Sequence, residues 1–285
     1  GAEARRPPAP VETPPLRLTI TGLPERDLWV GELIPVQLQL DIRGDVQVTQ
    51  VSAPELAGHV FSLTQPREQQ EPPQRTVTIG DVRYARFSLP AAISPVTAGT
   101  HDLSVSLTAT AILPRGRPTR RNLFDDPFFD SFFGGARERR DVPVESATRK
   151  VVVRPLPEVG KPADFSGGIG RFTLSAKATP TELTVGDPLT LEVSVSGKGN
   201  FDRLALPPLA SGTEWKTYPQ TAASDSRDGL GHSGTKTFSQ VLIPERVDVD
   251  QVPARELSYF DPARGRYERA RSEPIALVVR PAARG

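Results

Sequence analysis

Apolar and polar residues alternate along one stretch after another of this 285-residue chain, and 30 prolines punctuate it. Leu16, Leu18 and Ile20 alternate with Arg17, Thr19 and Thr21, and Val36, Leu38, Leu40 and Ile42 alternate with Gln37, Gln39, Asp41 and Arg43. The same period returns in Leu103-Val105-Leu107 and in Leu189-Leu191-Val193-Val195. A period of two sends successive side chains to opposite faces of an extended strand. Proline lacks an amide donor and breaks helix interiors, yet fits edge strands and the turns between short strands. No stretch of a dozen residues free of Pro and Gly carries a 3.6-residue apolar stripe. The chain is predicted to be all-β.

One unit is built twice. Leu28-Trp-Val-Gly-Glu-Leu-Ile-Pro-Val-Gln-Leu-Gln-Leu40 aligns with Leu183-Thr-Val-Gly-Asp-Pro-Leu-Thr-Leu-Glu-Val-Ser-Val195 at an offset of 155. Each copy has a Val-Gly-acid turn feeding an alternating strand. The copies also end alike, Val151-Val-Val-Arg-Pro155 matching Leu277-Val-Val-Arg-Pro281 at an offset of 126, so the first copy carries 29 extra residues. Each holds about seven strand candidates, the pattern of antiparallel sandwiches. The expected architecture is two tandem immunoglobulin-like β-sandwich domains, without the Cys pair and core Trp of an antibody domain. The expected boundaries are a Pro-rich flexible leader at 1–15, a first domain at 16–157, a linker at 158–165 and a second domain at 166–281.

Composition removes several functions. With no cysteine there is no disulfide framework, thiolate metal site, CxxC pair or Cys nucleophile. Lys and Arg number 35 against 34 Asp and Glu, so no global basic field draws the chain to nucleic acid. The longest apolar run is five residues, Ile275 to Val279, far below the roughly 18 that span a bilayer. A translated chain starts with Met, so a sequence holding none is expected to be a processed or trimmed segment.

Most of the extra residues of the first copy lie at 114–141, between the strand ending at Leu113 and the strand Thr148 to Arg154. This insertion is expected to be a long hairpin excursion. It concentrates Phe124, Phe128, Phe129, Phe132 and Phe133 between flanking arginines that include Arg137. Exposed aromatic anchors beside arginine are what protein interfaces use as hot spots, so these six residues are the candidate partner-binding site. The alternative is that the same phenylalanines cover an open sheet edge of their own domain.

Other motifs are weaker. His59, His101 and His232 have no second His or carboxylate at metal-ligand spacing, His232 lying in the glycine-rich turn Asp228 to Gly234. Ser196-Gly-Lys-Gly-Asn200 lacks the Gly-Lys-Ser/Thr element of a phosphate loop and reads as a turn. Asp41, Asp45, Asp187 and Asp202 read as scattered turn residues rather than a calcium loop. Tyr259 and Tyr267 flank an Asp-Pro turn as aromatics paired across a hairpin. No catalytic residue, metal or cofactor is expected. Trp29, Trp215 and Tyr218 would be the platforms of a carbohydrate- or peptidoglycan-binding adhesin, or else packing residues.

Read together, Phe165-Ser-Gly-Gly-Ile-Gly-Arg-Phe172, Val185-Gly-Asp187, Ser196-Gly-Lys-Gly-Asn200, Trp215-Lys-Thr-Tyr-Pro219, Gly234-Thr-Lys-Thr-Phe238 with Leu242-Ile-Pro244, and Ser258-Tyr-Phe-Asp-Pro262 resemble the BatD, or oxygen tolerance, family. The Asp-Asp-Pro-Phe-Phe-Asp-Ser-Phe-Phe run resembles that family's acidic-aromatic insertion. The resemblance implies tandem β-sandwiches on the periplasmic side of the bacterial inner membrane, with signal and transmembrane segments outside this stretch. It further implies a non-enzymatic role and partners that are von Willebrand A-type domain proteins and a MoxR-type ATPase system.

Overall fold

The computed structural model describes residues 13–66, 71–114 and 137–282. The chain is all-β, in two tandem sandwich units of the immunoglobulin-like class. The first unit runs β1 (Leu16–Thr21), β2 (Leu28–Trp29), β3 (Ile34–Arg43), β4 (Gln47–Val51), β5 (Glu55–Leu56), β6 (Phe61–Thr64), β7 (Gln74–Ile79), β8 (Val82–Pro95), β9 (Gly99–Leu103), β10 (Val105–Pro114), β11 (Arg137–Glu145) and β12 (Arg149–Arg154). The second runs β13 (Phe165–Thr179), β14 (Glu182–Thr184), β15 (Leu189–Gly199), a 3-10 turn (Phe201–Arg203), β16 (Trp215–Thr217), β17 (Thr221–Ser226), β18 (Ser233–Pro244), β19 (Gln251–Val252), β20 (Glu256–Asp261), β21 (Arg266–Arg271), β22 (Ile275–Ala276) and β23 (Val278–Arg280).

The alternation read from the sequence decides which side chains are buried. In β3, Val36, Leu38 and Leu40 point inward, with Leu16 and Leu18 of β1, and meet Val105, Leu107 and Ala109 of β10 across a first core. The two layers are the sheet β1-β3-β8-β6, with β7 also on β8, and the sheet β11-β10-β4, with β5 on β10. Between β9 and β10 the chain changes sheet at buried Ser104, whose hydroxyl donates to Glu145 Oε1 at 2.8 Å. The second core gathers Leu191, Val193 and Val195 of β15 with Phe172, Trp215, Phe238 and Leu257. Its main sheet has the order β16-β18-β15-β13-β20-β21, with β17 also on β18.

Two expectations are corrected here. The strand that pairs with β10 after the insertion is β11, in register from Ser106↔Glu145 to Pro114↔Arg137, not Thr148 to Arg154. The latter segment is β12, which joins β9 and β2 in a separate three-stranded sheet. Arg137 through Asp141 are therefore strand residues, and Arg137 opens β11 with an exposed side chain. An unbroken polar run, Arg-Glu-Arg-Arg-Asp, hid a strand whose hydrogen-bonded neighbour among the described residues is β10. Asp41 is likewise no turn residue. It sits buried in β3, where the Arg86 guanidinium opposite it donates to both carboxylate oxygens at 2.6 and 2.8 Å.

The repeat holds hydrogen bond for hydrogen bond. Val30 N donates to Arg154 O at 2.9 Å, and Val185 N to Arg280 O at 2.9 Å. Gly31 N donates to Pro95 O and Gly186 N to Pro244 O, at 2.8 and 3.0 Å. The turn acids do one job, Glu32 Oε2 accepting from Trp29 N and Asp187 Oδ2 from Thr184 N, each at 3.1 Å. In both units the segment before the turn pairs in parallel with the closing strand, β2 with β12 and β14 with β23.

Candidate functional site

The two Val-Gly-acid turns differ in what covers them. A side chain added at Gly186 would meet nothing within 4 Å, whereas Gly31 is pressed against Arg203 and Ile169 of the second unit. Gly31 carries φ +81°, a backbone state that glycine adopts at no steric cost. Its carbonyl accepts from buried Asn200 Nδ2 at 2.9 Å, and Asn200 Oδ1 accepts from Ile169 N at 2.7 Å. Asn200 thus donates with one end of its amide and accepts with the other, tying the turn of one unit to the backbone of the other.

Trp29 extends the joint. Its ring meets Phe260 edge-on at 4.8 Å between centroids, and its indole N–H donates to Pro262 O at 3.1 Å. Phe260 meets Tyr267 edge-on at 5.1 Å, and Tyr267 meets Phe165 edge-on at 5.2 Å, so four aromatics run in series along the joint. The connecting segment is fastened too. Tyr267 donates its hydroxyl to Pro157 O at 2.8 Å, and Arg269 binds both oxygens of Asp164 at 3.0 and 3.1 Å. β13 begins at Phe165, the last residue of the expected linker.

Beside this joint lies a cleft of about 490 Å³, walled by Pro24, Arg26 and Ile34 of the first unit and by Ile169, Lys198, His232 and Asp261 of the second. Its charges are mostly matched. Buried Glu32 is forked by Arg26, with one contact at 3.1 Å, and Asp261 accepts from Arg171 Nε at 3.2 Å. Burial holds the His232 imidazole below its usual value, with Asp228 opposing that shift and Lys198 adding to it. Asp228 is itself a turn lock, accepting from the amides of Leu230 and Ser233 at 3.0 and 2.8 Å. An Asp so engaged organises the β17–β18 connection; the cleft offers apolar walls with charged rims, a docking geometry.

Arg137, the sequence-derived partner-binding residue among the described residues, does not line this cleft. Phe124, Phe128, Phe129, Phe132 and Phe133 lie outside the described residues, and Arg137 stands on β11. Trp29 and Trp215 are both committed to packing, the first in the joint and the second in the second core. Tyr218 is exposed, with Lys216 Nζ 5.7 Å from its ring centroid. His101 packs edge-on against Phe61 at 6.1 Å. Tyr267 faces Phe260 across the hairpin, and Tyr259 faces Glu268 instead, so the expected tyrosine pair is split between the two faces of the sheet. Ser196 to Asn200 is not a turn: β15 runs straight through it to Gly199.

Fold and joint together define a tandem β-sandwich protein whose units are locked by a turn-into-corner contact. Residues 176–279, within the second unit, match the family model described as BatD DUF11 like domain. Comparison with curated proteins gives no match. Among solved structures the chain is similar to the Yersinia pseudotuberculosis adhesin InvE, at 12% identity and a TM-score of 0.22, covering 92% of this chain and 58% of that one. It is also similar to the C-terminal domain of the Streptococcus agalactiae AgI/II polypeptide BspA, at 8% identity and a TM-score of 0.19, covering 92% of this chain and 99% of that one. The chain therefore spans little more than half of the InvE chain it matches.

Proposed function

We propose that the chain is a non-catalytic interaction module on the periplasmic side of the inner membrane, part of a membrane-anchored BatD-like protein. It presents the 115–136 connection to a protein partner of the envelope, a von Willebrand A-type domain protein working with a MoxR-type ATPase system and linked to oxygen tolerance. The observation that carries this reading is placement. The connection leaves β10 at Pro114 and returns at Arg137, at the end of the first unit where β10 pairs Gln47 of β4. That end also holds Arg43, the last residue of β3, while Ile34, its first, lines the cleft. Ten strand residues separate the two ends by roughly 30 Å. Pro114 and Arg137, the two strand residues from which this phenylalanine-rich connection leaves and returns, thus stand at the end of the first unit opposite the joint. The BatD domain in the second unit supplies the family context for the partner.

The test is a pull-down from envelope extract with this chain as bait, beside a variant carrying Phe128→Ser, Phe129→Ser, Phe132→Ser and Phe133→Ser. The expected result is recovery of a von Willebrand A-type protein by the unmodified chain alone, with both baits equally folded by circular dichroism. Equal recovery by both would place the contact elsewhere, and an unfolded variant would return the phenylalanines to the core-covering role.

A further inference from the structure

The outer face of the second unit's main sheet has an unusual chemistry. Register aligns Thr173 of β13, Ser196 of β15, Thr235 of β18 and Asp225 of β17 in one row. The next row holds Ser175, Ser194, Thr237 and Ala223. On the opposite face, Phe172, Val193, Val195 and Phe238 of the same strands enter the core. Exposed sheet faces usually carry long charged side chains; here the two central rows of β15 and β18 carry only hydroxyls. Those hydroxyls are aligned across the strands, Ser196 Oγ and Thr235 Oγ1 at 2.9 Å and Ser194 Oγ and Thr237 Oγ1 at 3.4 Å. Each retains acceptor capacity toward solvent.

At one end the first of these rows runs into a pocket of about 480 Å³ lined by Thr173, Ser196, Tyr259, Arg171, Arg227 and Arg264, with Asp261 in its wall. Arg171 and Arg264 lean on Asp261, at 3.2 and 3.8 Å, and Arg264 also binds Glu268 Oε1 at 3.1 Å, while Arg227 has no ion pair among the described residues. The Tyr259 ring, set edge-on to Phe172 at 5.5 Å, supplies a half-buried apolar platform.

We propose that this face and its arginine pocket bind a polymer of acidic sugars. A protein partner would need apolar anchors to bury, and these rows offer none. A sugar ring offers many hydroxyls to a flat donor–acceptor array, a face that can lie on one tyrosine, and in its acidic forms a carboxylate that a guanidinium binds by two parallel hydrogen bonds. The two tryptophans that the sequence offers as sugar platforms serve packing, and this surface is independent of them and of the phenylalanine-rich connection.

The experiment is a titration of the whole chain with polygalacturonate, in parallel with neutral dextran and with poly-L-glutamate, read by calorimetry at low ionic strength. Polygalacturonate is expected to bind, and dextran and poly-L-glutamate to bind at least several-fold more weakly. Arg227→Ala, on an exposed residue, is expected to weaken binding about two- to five-fold, the range of one exposed charge contact. The Ser196→Ala/Thr235→Ala pair should weaken it further, and the four-Phe variant should leave it unchanged. Equal binding of poly-L-glutamate, unchanged binding in the Ser196/Thr235 pair with its melting curve intact, or absence of binding to polygalacturonate would each overturn the proposal. Should the pair fail to fold, Arg227→Ala together with the poly-L-glutamate comparison still decides.

Discussion

At Gly197 one methyl group decides whether β13 and β15 can meet. A Cβ there would stand 2.0 Å from the Arg171 carbonyl oxygen, and one at neighbouring Gly199 would stand 2.3 Å from that of Ile169. Backbone atoms cannot swing aside as a flexible side chain can, so the strands would have to part. Gly197→Ala is expected to cost about 3 kcal/mol or more in chemical denaturation, while Lys198→Ala, between the same two glycines and exposed, should stay within about 0.5 kcal/mol. A Gly197→Ala protein as stable as its parent would show that β13 and β15 separate easily. The spacing Gly-Lys-Gly was legible as a demand for glycine, yet glycine serves turns and close strand approach alike. Which demand applies depends on a carbonyl 26 positions away in the chain.

Among the elements, the β17–β18 connection carries a pH dependence. Burial lowers the His232 imidazole from its usual 6.5, so the folded chain takes up this proton less readily than the unfolded chain does. Well above pH 6.5 both states are neutral at this site and the term vanishes. As pH falls below 6.5 the unfolded state gains its proton first, and stability declines until the lower folded value has been passed. Thermal melts at pH 7.5 and pH 5 are expected to show a smaller difference for His232→Gln than for the parent; an equal difference would remove His232 from the account. That hairpin was readable from its glycines, since turn residues announce themselves locally. β11 was not, because its outward arginines resemble a solvated loop and its strand character comes from pairing with β10.

For the whole molecule, the joint sets the direction in which everything else is presented. Asn200 and Trp29 reach across it through one hydrogen bond each to the opposite unit, and Trp29 adds its contact with Phe260. The double variant Asn200→Ala/Trp29→Ala is expected to keep both cores folded and to broaden the distribution of inter-unit distances, measured between spin labels at Thr108 and Lys216. An unchanged distribution would mean that the fastening of Pro157 and Asp164 onto the second unit suffices alone. The aligned repeats carried a hint of this joint: Trp29 stands where the second copy has Thr184, an aromatic added only in the copy whose turn is covered.

The sequence by itself determined what neighbours along the chain can decide. Alternation marked strands such as β1, β3, β10 and β15 and their buried faces, and the duplicated Val-Gly-acid turn marked two units whose equivalent hydrogen bonds agree. Only the tertiary structure decided that Ser196 to Gly199 is strand, that the turn at Gly31 is an anchor while its twin at Gly186 is bare, and that scattered hydroxyls align beside three arginines. Periodicity and turn chemistry act over a few residues, and their signals survive in any reading frame of the chain. Trp29 meeting Pro262 and Asn200 meeting Gly31 span 233 and 169 positions, and such contacts exist only once two finished surfaces are set against each other.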